Sequence, residues 1–91
     1  MPQELEGKAL STPGAWAIVV ARYNESVTRN LLRGALSTLA EHGVADDAVT
    51  VVWVPGAWEV PLPAARLARS GQFNAVICLA AVIRGETTHD Q

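Results

Sequence analysis

Cysteine occurs once in these 91 residues. Cys78 therefore has no internal partner, no disulfide staples the fold, and a cytoplasmic location is expected. Lying inside an apolar run, Cys78 reads as a small buried hydrophobe. Basic residues are few, seven in all, and scattered along a chain of net charge −2. That distribution gives no electrostatic support for generic binding to nucleic acid or to a membrane surface. Long apolar runs are missing too: none approaches the ~18 residues that a membrane span needs. The opening residues, Met1-Pro2-Gln3-Glu4-Leu5-Glu6, are acidic and polar and do not read as a signal peptide. A Cys/His cluster, a Walker signature and the dinucleotide glycine pattern are all lacking, so no metal or nucleotide cofactor is expected. There are no internal repeats and no low-complexity tracts.

What is present fits one globular domain. Hydrophobic residues make up 49% of the chain. A chain of this size buries about 60–65% of its unfolded surface. Residues 1–14 read as an arm closed by Thr12-Pro13-Gly14, and residues 15–91 as part of one α/β domain. The run 15–21 is continuously apolar and does not alternate, the mark of a strand covered on both faces. Asn24 then offers a helix N-cap, and Val27, Leu31, Leu32, Ala35, Leu36 and Leu39 form one apolar stripe. Gly43 suits the position just past that helix, with His42 in its last turn. Residues 49–54 are β-branched and read as a second strand, broken by Pro55-Gly56. A short helix over about 60–69 carries Pro61 and Pro63 in its first turn, where backbone N–H groups lack partners anyway. The third strand is expected over 75–83. The order strand–helix–strand–helix–strand, with right-handed crossovers, gives a flavodoxin-like doubly wound parallel sheet. Its next helix would begin at Thr87 or Thr88. The chain is thus expected to be the N-terminal portion of a longer domain, lacking at least one helix and a strand.

All three strands end in loops that would share one edge of such a sheet, the edge at which α/β folds bind ligands. The third ends in Gly85-Glu86-Thr87-Thr88-His89, followed by Asp90-Gln91. Backbone N–H groups at a nascent helix start suit an anion, and His89 beside it would move protons near neutral pH. A plain capped turn with a solvated histidine has the same spelling. Tyr23 at the end of the first strand would stack on a flat heterocycle, or pack as a staple over the helix that Asn24 caps. In the second loop, Gly56 and Ala57 leave backbone groups open, and Glu59 would hold polyol hydroxyls. Equally, Glu59 is a favourable first-turn charge and Trp58 an interface or core residue. Trp16 and Trp53 lie in strands and read as packing groups.

The chain resembles the 6,7-dimethyl-8-ribityllumazine synthase family at Ala21-Arg22-Tyr23-Asn24, at Val54-Pro55-Gly56-Ala57-Trp58-Glu59-Val60-Pro61, and at Val82-Ile83-Arg84-Gly85-Glu86-Thr87-Thr88-His89. Order and spacing agree from about Ala15 onward, and the last two motifs are the specific ones. Tyr23 stands where phenylalanine is usual, Ala80-Ala81 where a glycine is common, and Asp90 where an aromatic usually follows the histidine.

This resemblance implies a flavodoxin-like subunit of a pentamer, or of a shell built from pentamers. It implies condensation of 5-amino-6-(D-ribitylamino)uracil with 3,4-dihydroxy-2-butanone 4-phosphate, through imine formation, phosphate loss and ring closure, without a cofactor. By position, Tyr23 would stack on the pyrimidine, and Asn24, Ala57, Trp58 and Glu59 would bind the pyrimidine and ribityl chain. Ala81, Val82 and Ile83 would flank the ring, Gly85, Glu86 and Thr87 would bind phosphate through their backbone, and His89 would transfer protons. The family's phosphate-binding arginine and interface aromatic come from the C-terminal half, so residues 1–91 alone are expected to be inactive or nearly so. The rival expectation is a non-catalytic module that binds a flavin-like ligand or builds a shell. A flavodoxin-like signalling domain is less attractive, because the strand ends hold no acidic cluster apart from Glu59.

Overall fold

The central strand owes its place to a run that cannot tolerate water on either face. In a computed structural model, which describes residues 14–84, β1 spans Trp16–Ala21 and loses nearly all its surface. Ala17, Ile18, Val19 and Val20 are 0% exposed and Ala21 1%. It pairs in parallel with β2 (Val49–Val54) on one side and β3 (Ala75–Leu79) on the other. The order β2-β1-β3 is the doubly wound arrangement expected from the sequence, with the first strand in the middle.

The two helices cover opposite faces. Residues of β1 alternate sides, as the period of a strand demands. Ile18 packs with Leu32, Ala35, Leu36 and Leu39 of α1 (Glu25–Glu41), joined by Ile77 and Leu79. Val19 and Ala21 meet Val54, Val60 and Val76 with Ala64 and Leu67 of α2 (Pro61–Arg69). Complete burial of each of Ile18, Val19 and Val20 contributes about 1.5–3 kcal/mol.

The end of α1 follows from its letters. Gly43 takes a φ of 85°, its N–H bonds to the carbonyl of Ala40, and the N–H of Val44 reaches back to Leu39 at 2.9 Å. That is a Schellman closure, completed by burial of Val44 against Leu39. His42 sets Nδ1 at 2.8 Å from the carbonyl of Thr38 and so belongs to the helix end.

Three expectations need correction. β3 stops at Leu79, not at Ile83. Its pairing with β1 ends at Val20↔Leu79, because β1 then leaves toward β2: Arg22 and Tyr23 donate to the carbonyls of Val54 and Pro55. An apolar segment without a neighbouring ladder is no strand. Second, Cys78 is exposed. Among the described residues β3 is an edge strand, and Cys78 shares the α2 side of the sheet with its register partner Val19. Third, Asn24 holds the N-cap position as expected but makes no side-chain capping bond. Its φ of 58° and ψ of 51° place it in the left-handed region, and α1 starts on its backbone carbonyl, which accepts from Val27 and Thr28. Of the expected arm only Gly14 is described.

Candidate functional site

The cleft that matters opens where the three strands end. Arg22 N–H donates to Val54 at 2.8 Å and Tyr23 N–H to Pro55 at 3.0 Å, so the first two strand ends stay zipped past the formal ladder. This brings Tyr23 beside the second loop. There residues Ala57–Glu59 form one 3-10 turn, closed by Glu59 N–H on the carbonyl of Gly56 at 3.1 Å. Pro61 follows at the start of α2, where its missing N–H costs nothing. The segment after β3 supplies the facing wall.

Together Tyr23, Gly56, Ala57, Trp58, Glu59, Pro61, Val82 and Ile83 line a cleft of about 570 Å³. That volume is in the range of small-molecule sites, and a mainly apolar lining with few polar groups is their usual composition. Tyr23 is half exposed and offers a ring face. Glu59 is exposed and, among the described residues, is the one carboxylate in the lining. Its Oε1 lies 3.5 Å from where a Cβ on Gly56 would stand. A methyl group there would meet the carboxylate in ordinary van der Waals contact. Trp58 is 88% exposed at the cleft, which removes the alternative that it is a core residue of this chain.

Of the residues singled out in the sequence, Tyr23, Ala57, Trp58, Glu59, Val82 and Ile83 line this one hollow. Asn24 and Ala81 stand behind it, joined by a hydrogen bond from Asn24 Nδ2 to the Ala81 carbonyl at 3.4 Å. Gly85, Glu86, Thr87 and His89 lie outside the described residues, so their expected phosphate and proton roles are not placed by this geometry. Pro61 was not singled out as a site residue, although it closes the motif that begins at Pro55-Gly56. A second feature had no sequence signal. Arg22 and Arg29 both lay their guanidiniums over Trp53, at 4.8 and 4.9 Å from the ring centroid, and both meet Glu25. Trp53 is thus a platform for cations as well as a packing group.

These features define an α/β domain of flavodoxin-like topology with a small-molecule cleft at the carboxyl ends of its parallel strands. The family model for 6,7-dimethyl-8-ribityllumazine synthase matches residues 14–91. A curated 6,7-dimethyl-8-ribityllumazine synthase of Salinibacter ruber is 55% identical over 89 residues. That match covers 98% of this chain and 57% of the relative's own length. The chain belongs to the 6,7-dimethyl-8-ribityllumazine synthase family. It spans a little over half the length of the curated relative it matches. Among the described residues, no helix is long and apolar enough to cross a membrane.

Proposed function

We propose that this chain carries the pyrimidine-binding part of a lumazine synthase site. There 5-amino-6-(D-ribitylamino)uracil condenses with 3,4-dihydroxy-2-butanone 4-phosphate to give 6,7-dimethyl-8-ribityllumazine. One observation carries the reading: Tyr23, Glu59 and the pair Val82 and Ile83, far apart in sequence, line one cleft. Tyr23 stacks on the pyrimidine, and Ala81, Val82 and Ile83 flank it. Asn24, Ala57, Trp58 and Glu59 bind the pyrimidine and ribityl chain, the Glu59 carboxylate accepting from hydroxyls. Gly85, Glu86 and Thr87 hold the phosphate through backbone N–H groups. His89 moves protons in imine formation and phosphate loss, and the positioning of two substrates supplies much of the remaining rate.

Assembly as a pentamer, or as a shell of pentamers, belongs to the same proposal. Its support is the exposure of Trp58, Leu62, Val82 and Ile83 around the cleft, between 53% and 88%, an apolar surface that a neighbouring subunit would cover. A cytoplasmic location is supported by the single unpaired cysteine.

The test is to mix both substrates with a chain of the relative's length that carries residues 1–91, and to follow lumazine absorbance. Product formation is expected there, with residues 1–91 alone giving little or none. His89→Ala in the longer chain should slow turnover by about 10²-fold or more. Ligand binding or shell formation without product would establish the non-catalytic module in place of the enzyme.

A further inference from the structure

Asn24 is held in a conformation that its position at a helix start does not require. Among the described residues it is the non-glycine residue with a positive φ, 58°. Left-handed backbone disfavours side chains, and asparagine tolerates it better than most. A capping residue normally keeps extended backbone and turns its side chain onto the N–H groups of the first turn. Asn24 has given that up: it makes no side-chain capping bond, and its own carbonyl accepts from Val27 at 2.9 Å and Thr28 at 3.1 Å. Its carboxamide reaches across the sheet end to the Ala81 carbonyl, 57 positions along the chain.

That carbonyl sits where support is otherwise ending. The β1 ladder with β3 closes at Val20↔Leu79, two residues before Ala81, and the next two residues wall the cleft. The Ala81 C=O and the Val82 N–H belong to one planar trans peptide, so holding the first sets the direction of the second. Asn24 also follows Tyr23 directly. One residue therefore ties the stacking ring's loop to the wall that faces it.

We propose that Asn24 is a positioning residue, whose left-handed backbone and carboxamide clasp on Ala81 fix Val82 and Ile83 opposite Tyr23. The carboxamide keeps a second N–H and its own carbonyl for a ligand. The inference rests on the reading of the cleft as a pyrimidine site, yet the clasp has a readout independent of that reading.

The variants are Asn24→Gly and Asn24→Asp, made in the full protein. Glycine adopts the left-handed backbone without strain, so folding is retained while the clasp is lost. Aspartate keeps size and local conformation, but its carboxylate cannot donate to a carbonyl. Backbone nitrogen relaxation in the ligand-free protein reads the clasp itself. Both variants should lower the order parameters of Val82 and Ile83, while those in the middle of β1 stay unchanged. Steady-state kinetics should show KM for the pyrimidine raised by about 3–10-fold, the worth of one net hydrogen bond, with kcat changed less. Native order parameters at Val82 and Ile83 in either variant overturn the clasp. Lowered order parameters with an unchanged KM overturn the positioning role. If the unsubstituted protein forms no lumazine, the enzymatic reading fails, and the relaxation experiment still decides the clasp.

Discussion

β1 and β3 are runs of nearly the same chemistry with opposite fates. Trp16–Ala21 loses nearly all its surface, whereas no residue of Ala75–Leu79 is buried and Cys78 is exposed. Composition does not distinguish them. What does is place: among the described residues, β1 has a parallel neighbour on each side and a helix on each face, and β3 has a neighbour on one side only. An apolar run states what a strand needs, and the strand order decides whether it gets it.

A charge placed in each strand gives the largest effect. Val19→Asp puts an unpaired carboxylate at a site with 0% exposure and should cost more than about 4 kcal/mol, leaving the chain unfolded. Cys78→Asp, on the residue paired with Val19 in register, should cost within about 1 kcal/mol. Circular dichroism in water shows whether the first variant folds, and urea denaturation against the native chain measures the second. Equal penalties would break the contrast, and would mean that β3 is covered in solution. Native Cys78 should also react quickly with a thiol reagent.

A smaller effect tests how the edge strand is fastened to the central one. Asn74 donates its N–H to the Ala15 carbonyl at 2.7 Å and accepts the Ala15 N–H on Oδ1 at 2.9 Å, clamping the start of β3 to the start of β1. Gly14 has a φ of 156°, and a Cβ added there would collide with that same Oδ1. Gly14→Ala should therefore destabilise by about 1–3 kcal/mol. Combined with Asn74→Ala, the losses should sum to less than their separate values, because both break one clamp. Full additivity in thermal unfolding would place the glycine's role elsewhere.

The features legible in the sequence are those set within one element. The α1 stop could be read because Gly43 carries its own signature, and β2 because Val49–Val54 ends at Pro55-Gly56. The meeting of Tyr23 with Glu59 could be inferred because parallel strands share a ligand-binding edge, and the lining bears it out. What could not be read depends on neighbours. Asn24 is spelled the same whether it caps in extended backbone or clasps in left-handed backbone. The apolar letters at 80–83 continue β3 on paper, though β1 has already left. The Trp53 platform joins a strand residue to two arginines flanking a helix start, a coincidence visible only in space.

The smallest effect belongs to the opposite edge of the sheet, where β2 is flanked by charge. Glu25 lies 2.6 Å from Arg29 Nε and 3.5 Å from Arg22 Nη1, both guanidiniums resting on Trp53. The Arg29 hydrogen bond is the largest influence on the Glu25 carboxyl; with the charges of both arginines it outweighs desolvation, the next largest, and holds the group below its ordinary value of 4.5. A folded-state value below the unfolded one stabilises above the ordinary range, and that contribution is lost as pH falls through the lowered value. Exposure makes the whole effect small and sensitive to salt. Nuclear magnetic resonance titration should place the Glu25 transition below 4.5. Glu25→Gln should flatten the acid limb of the thermal-unfolding curve in that window, and raised salt should do the same to the native chain. If the limb keeps its slope in both cases, acid sensitivity lies with other carboxylates, and the β2 edge gains no measurable stability from its charges.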